Sequence, residues 1–327
     1  MKFPIAFFAA TVFLTSSSFI SAADLRIGII GLDTSHCVAF TKLINDKTDQ
    51  NHVAGGKVVA AFKGGSADIK SSIARVDEYT AKLEKNFGVK IVPTIEELCA
   101  QVDVVLLESV DGRPHLEQAR PVFKAGKPVF IDKPIGGTLR DAIEIFRLAK
   151  EFNTPCFSSS AYRFYDSMIE LKKMDVGEIR GAISYGPSEK EPHHPDFFWY
   201  GIHPTEALFT VMGTGCESVV RTATADTDEV TGIWRGGKVG TLRGLRHAVT
   251  PHKVIVFGSK AIAQQNGDGD YAPLVKEIMK FFQTKIAPVS PDETLEMFAF
   301  MEAADESKRQ GGCSVKLSDV MKKAESK

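Results

Sequence analysis

The chain predicts an α/β fold in two parts, a doubly wound parallel sheet followed by an α+β domain with a mostly antiparallel sheet. Three observations carry this. Short apolar runs alternate with amphipathic helical segments from Leu25 to about Ser158. Past about Met168 the runs become consecutive strands joined by Gly-rich or polar turns, Gly236–Gly237 being the plainest hairpin signal. The segments Ala272–Gln283 and Pro291–Arg309 then return to helical spacing. At 327 residues the chain has room for two domains. Its formal net charge is −1 and it has no basic stripe, which argues against a nucleic-acid partner.

Residues 1–23 precede the fold. Lys2 gives a positive start, Ile5–Leu14 an apolar core, and Ser21-Ala22-Ala23 the small residues before a cut. That order reads as a Sec-type signal peptide whose core is too short to span a bilayer. The expected product begins at Asp24, is exported to the periplasm or beyond, and has no membrane anchor after cleavage. No twin arginine is present, so the chain should cross unfolded and gain any cofactor outside.

Residues 24–158 form the first expected domain. Leu25–Ile30 is a buried strand, and Gly31 to His36 leads into a helix ending near Asn45. Val58–Phe62 is a strand followed by Lys63-Gly64-Gly65-Ser66, Arg75–Phe87 a helix and Val89–Val92 a short strand. Thr94 caps the helix Ile95–Ala100. Val104–Leu107 is another buried run. Pro114 suits the first turn of the next helix and Gly126 its left-handed end. Pro121 inside that helix should kink it or cost about 3 kcal/mol. Pro128–Ile131 then delivers Asp132-Lys133-Pro134 to the carboxyl edge of the sheet, where ligands bind in such folds. Thr138 with Asp141 approximates a capping box, and Ala142, Ile145, Phe146, Ala149 and Phe152 mark a core face. After the strand Pro155–Ser158, the residues Ser159, Ser160, Tyr162 and Arg163 stand at the domain junction, with Tyr162 and Arg163 as substrate candidates.

Residues 159–327 form the second domain, with strands at Gly181–Tyr185, Ser218–Ala225, Val230–Arg235, Lys238–Arg246 and Lys253–Phe257. The five cysteines are scattered, with no Cys-x-x-Cys pair, and free buried thiols are their expected state.

The run from Asp103 to Pro134 resembles the central signature of the glucose–fructose oxidoreductase/inositol dehydrogenase/MocA family: a strand, a His-x-x-x-Ala helix (His115 to Ala119), an Ala-Gly-Lys turn (Ala125 to Lys127), a second strand and Glu-Lys-Pro, here Asp132-Lys133-Pro134. The run Val289 to Ser307 with Val315 to Leu317 is similar to that family's carboxyl end. The resemblance implies a Rossmann-type first domain binding NAD(P), with Lys133 catalytic and Glu108, His115 and Asp132 beside the cofactor. It also puts Gly31, Asp33 and His36 at the three glycine positions of the dinucleotide fingerprint, so two of the three glycines are replaced. Asp33 sets a carboxylate where a phosphate should rest on a helix N-terminus, unless it caps that helix, as Thr34 or Ser35 also can. No acidic residue ends the second strand. Lys63 stands there, and with Ser66 it favours NADP over NAD. Two readings stay open, a rebuilt cofactor pocket or lost dinucleotide binding.

The second chemical cluster runs from Glu191 to Glu206. Gly201, His203 and Glu206 match the family's Asp-x-Gly-x-His-x-x-Asp, while Trp199 takes the place of the first acid. His203 would move a proton with Glu206 assisting, and Trp199 would face substrate. His193, His194 and His203 raise a divalent-metal alternative, although neighbouring side chains usually diverge. The expected function is an exported NAD(P)-dependent oxidoreductase acting on a sugar, polyol or carbohydrate derivative. A non-redox lyase or hydrolase on the same fold, metal-assisted or acid/base, and a ligand-binding protein are the alternatives. The family resemblance also suggests a homo-oligomer through the second-domain sheet.

Overall fold

The carboxyl edge of the first sheet faces the second sheet's helices, and that meeting makes the site. The computed structural model describes residues 24–247 and 251–326, so the expected signal peptide lies outside the described residues. In chain order the first part comprises β1 (Leu25–Ile30), α1 (Ser35–Asn45), β2 (Gly56–Phe62), α2 (Lys70–Phe87), β3 (Lys90–Val92), α3 (Ile95–Gln101), β4 (Val104–Leu107), α4 (His115–Lys124), β5 (Val129–Asp132), α5 (Leu139–Glu151) and β6 (Cys156–Ser159). The strands are all parallel, in the order β3-β2-β1-β4-β5-β6. Strands β4, β5 and β6 are buried at every position, as a sheet covered on both faces requires. The order reverses between β1 and β4, and the crevice at that switch point is where a ligand fits.

Local chemistry explains most helix starts. Thr34, Thr94 and Thr138 each accept a backbone N–H of the following turn, a cap worth about 1 kcal/mol. Helix α2 begins at Lys70, a turn earlier than Arg75. Its first turn buries only a serine, Ser72, so apolar spacing could not reveal it. Pro121 lies within α4 and does not end it.

The second part opens with a 3-10 turn, Ala161–Phe164, and continues through α6 (Asp166–Lys173), β7 (Ile179–Pro187), α7 (Ile202–Met212), β8 (Cys216–Ala223), β9 (Thr227–Trp234), β10 (Val239–Leu245), β11 (Lys253–Gly258), β12 (Ile262–Gln264), α8 (Ala272–Thr284), α9 (Pro291–Arg309), β13 (Val315–Lys316) and α10 (Leu317–Glu325). The sheet order is β12-β11-β7-β10-β9-β8-β13, antiparallel except for the β10–β7 pair. Gly236 and Gly237 turn β9 into β10 with φ of 79° and 77°, values that favour glycine. Val219, Val230, Leu242 and Val254 alternate inward into a core shared with α7 and α9.

Helix α8 departs from a simple division at residue 158. Its Leu274, Val275, Ile278, Phe281 and Phe282 join the core of the first sheet with Ile27, Phe40 and Phe157. The Phe157 and Phe281 rings meet edge to face at 4.8 Å.

Candidate active site

A cleft of about 600 Å³ opens between the carboxyl edge of the first sheet and α7. From the first sheet's side it is lined by Thr34, Ser35 and His36 at the start of α1, by Ser71 and Arg75 on α2, and by Val110 and Lys133. From the opposite side come Tyr162, Trp199, Tyr200, His203 and His252. The order of the chain brings these together. Strand β5 ends at Asp132, so Lys133 projects from the sheet edge, while Gly201 starts α7 and turns His203 toward it.

Lys133 and His203, read separately from the sequence, do share this cleft. The Lys133 ammonium lies 5.8 Å from the Tyr200 ring centroid. Among the described residues no carboxylate is bonded to its Nζ. His203 is 7% exposed, and its Nδ1 lies 2.8 Å from Ser160 Oγ. Burial, then the charges of Lys133, His252 and His36, hold the imidazole well below its ordinary range. His203 is therefore neutral at neutral pH. Tyr162 packs edge-on against His203 and also meets His252, at centroid distances of 5.1 and 4.2 Å.

Glu206 corrects the expectation of a carboxylate assisting His203. It accepts from Ser159 Oγ at 2.5 Å, from Ser160 N at 2.6 Å and from Arg163 Nε at 2.8 Å. It touches His203 only through Ser160, because the side chain at position 206 points back into the junction. Arg163, expected as a substrate contact, does not line the cleft. It is buried and paired with both Glu206 and Glu293.

The fingerprint residues divide. Gly31 has φ of 90°, and a Cβ there would lie 2.3 Å from Ser109 N, so glycine is required. Asp33 neither caps α1 nor lines the cleft. It is fully buried, accepting from Ser72 Oγ at 2.7 Å and Val110 N at 3.0 Å. Burial raises its carboxyl against the pull of those bonds. Thr34 is the cap and Ser35 the exposed residue beside it. His36, at the third glycine position, lies in the cleft with Nδ1 2.6 Å from Asp132 Oδ2.

Other expected cofactor contacts do not reach the cleft. Glu108 is fully buried, with neither carboxylate oxygen bonded. Burial, and then the nearby Asp132, push its carboxyl well above the usual range. His115 is fully buried between the Ser109 and Ile135 carbonyls. Lys63 is paired with Asp77 at 2.6 Å, and Ser66 donates to Asp111 at 2.8 Å. Arg113 binds Asp111 and Asp68 in the same network. The two residues expected to favour a 2′-phosphate are thus already engaged.

The three candidate metal histidines do not converge. His193 is exposed beside Glu191. His194 is buried against Trp199, with Nε2 3.7 Å from Asp111. Of the three only His203 lines the cleft, and among the described residues no group of three or more His, Cys, Asp or Glu is arranged to hold an ion. Sequence reading missed Arg75 and His252 as cleft residues, since neither sits in a motif, while Tyr200 closes the aromatic run Phe197 to Tyr200 that could offer a wall to a sugar ring.

The fingerprint loop fits a dinucleotide's phosphates in three respects. Helix α1 presents its N-terminus to the cleft with no acid in its first turn. The Asp33 carboxylate is turned away, and Arg75 supplies a cation on the facing helix. Thr34, Ser35, Ser71 and Arg75 are the residues that would hold such a group.

Comparison with known proteins agrees. Residues 25–159 match the family model described as an oxidoreductase family with an NAD-binding Rossmann fold. Inositol 2-dehydrogenase 2 of Saccharopolyspora erythraea is 28% identical over 148 residues, covering 42% of this chain and 41% of that enzyme. The match thus spans about two fifths of that relative's length. Apo scyllo-inositol dehydrogenase of Lactobacillus casei superposes with a TM-score of 0.74 at 16% identity, covering 90% of this chain and 98% of that one. The same enzyme with NAD(H) and scyllo-inositol bound gives 0.73 at 16% identity, covering 90% and 100%. Residues 25–159 are thus similar to the GFO/IDH/MocA oxidoreductases with their NAD-binding Rossmann fold, and the solved structures share the fold of both parts of the chain.

Proposed function

We propose that the protein is an NAD(P)-dependent oxidoreductase acting on a polyol, sugar or related carbohydrate in the cleft between the two sheets. The observation that carries this is the pairing of Lys133 and His203 across one cleft, with no hydrogen-bond partner for Lys133 Nζ or His203 Nε2 among the described residues. With Nδ1 held at Ser160, the neutral His203 offers Nε2 to a substrate hydroxyl and takes its proton. Lys133 Nζ donates to the same oxygen and favours the alkoxide. Tyr162, Trp199 and Tyr200 present aromatic faces to the C–H surface of a sugar or cyclitol ring. NAD(P), when bound, supplies the hydride acceptor. Arg75 serves the phosphates at the start of α1, and with Lys63 and Ser66 engaged elsewhere either NAD or NADP fits the reading. The inositol dehydrogenases among the similar proteins support a polyol as the first substrate to try.

Export and self-association belong to the same proposal. The order of charge and apolarity in residues 1–23 supports export, with the mature chain starting at Asp24. Exposed Val220, Ile233, Val239 and Ile262 on sheet two support a homo-oligomer.

The test is oxidation of myo- and scyllo-inositol by the mature protein with NAD or NADP, read by nicotinamide absorbance, alongside calorimetric titration with both nucleotides. Lys133→Ala and His203→Ala should each lower kcat by about 100-fold or more. Absence of nucleotide binding in the calorimeter would end the oxidoreductase reading.

A further inference from the structure

His36 stands where the fingerprint's third glycine belongs, and it is held as a reactive imidazole is held. Its Nδ1 lies 2.6 Å from Asp132 Oδ2, with both side chains buried. The other Asp132 oxygen accepts from Lys133 N at 2.8 Å, so the carboxylate is fully used in orienting its neighbours. Burial alone would raise the Asp132 carboxyl, but His36 and then Lys133 hold it below the usual range. Asp132 is therefore an acceptor and His36 Nδ1 carries the hydrogen, which leaves Nε2 as the ring nitrogen that faces the cleft. The ring has little freedom. It stacks on Phe40 at 5.2 Å and 8°, and Tyr271 meets it edge-on at 4.8 Å. Nε2 has no partner among the described residues, and the ring lines the same cleft as Lys133 and His203.

Packing alone explains an aromatic at position 36 but not a buried carboxylate aligned on its Nδ1. Hydride transfer from an alcohol needs a single base, and His203 already fills that role. We propose that His36, oriented by Asp132, is a second acid/base of the cleft, acting on the carbon next to the carbonyl of a bound α-hydroxy ketone. The inference rests on the polyol reading above, since such a ketone is the oxidised form of a polyol. In the step, the C–H bond breaks and the proton passes to His36 Nε2. The electron pair moves onto the carbonyl oxygen, and Lys133 Nζ hydrogen-bonds the resulting enediolate. Return of a proton from the imidazolium restores the ketone, so no oxidant or reductant is consumed. His36 is the catalytic residue and Asp132 a positioning residue.

The experiment incubates the full mature protein in heavy water with scyllo-inosose and no nucleotide, following loss of the ketone's α-proton by NMR. Protein-dependent wash-in is expected. His36→Asn should reduce it by about 100-fold or more, and Asp132→Asn should lower its kcat with KM unchanged. Should His36→Asn fail to fold, the wild type serves: inosose should shield His36 from diethyl pyrocarbonate, read by peptide mass spectrometry. No wash-in above buffer, a folded His36→Asn at the wild-type rate, or unshielded His36 overturns the proposal. Inositol oxidation with NAD and NADP runs in parallel on the same proteins. Oxidation without wash-in sinks the second base alone, and wash-in without oxidation sinks the dehydrogenase reading alone.

Discussion

Replacing Glu206 with alanine should unfold the junction more readily, and this separates an anchor from a catalytic carboxylate. Glu206 is 1% exposed and accepts from Ser159, Ser160 and Arg163. The alanine strands the Arg163 guanidinium, whose side chain is only 11% exposed, against Glu293 alone. Breaking a buried pair from one side costs about 3–5 kcal/mol. The newly unsatisfied Ser160 N–H overlaps with that figure and keeps the estimate near its middle, about 4 kcal/mol. With a urea m-value of about 3 kcal/mol/M, the unfolding midpoint should fall by about 1.3 M. Glu206→Gln keeps the volume and one acceptor while losing the charge, so its midpoint should lie between the two. Circular dichroism against urea makes the measurement. A Glu206→Ala midpoint within about 0.3 M of wild type, together with lost turnover, would refute the anchor and restore Glu206 as the partner of His203.

Three further outcomes are expected, two of them from burial and one from the leader sequence. Burial holds the His194 imidazole down at about 4, against an ordinary value of 6.5. The unfolded chain therefore binds the extra proton first, and stability is lost as pH falls from about 6.5 toward about 4, at about 1.4 kcal/mol per pH unit for this group. Wild type should lose stability relative to His194→Gln across that window, and parallel pH profiles would contradict the assignment. Of the five free thiols, Cys313 is exposed while Cys37, Cys99, Cys156 and Cys216 are buried. One fast-reacting thiol is expected with a disulfide reagent in the native state and five after unfolding; a second fast thiol would contradict the packing. Amino-terminal sequencing of exported protein should begin at Asp24, and an intact Met1 in the membrane fraction would dismiss the leader.

The sequence by itself determined the alternation of β1 to β6, the antiparallel second sheet, and the placement of Lys133 at a strand end. Those features rest on short-range rules: apolar runs for buried strands, threonine caps, and glycines where φ must be positive. Gly201 and His203 were legible because they sit in a spaced motif. The partners of the site residues were not legible, because partners are chosen across the fold. Asp33 and Ser72 are bonded over 39 residues and His36 and Asp132 over 96. Only the tertiary structure could turn the Asp33 carboxylate away from the cleft, or fasten Glu206 to Arg163 and leave His203 to Ser160. Arg75 and His252 carry no local signal at all. They reach the cleft because α2 packs against α1 and because His252, just before β11, packs against His203 of α7, which side-chain spacing along one element cannot report.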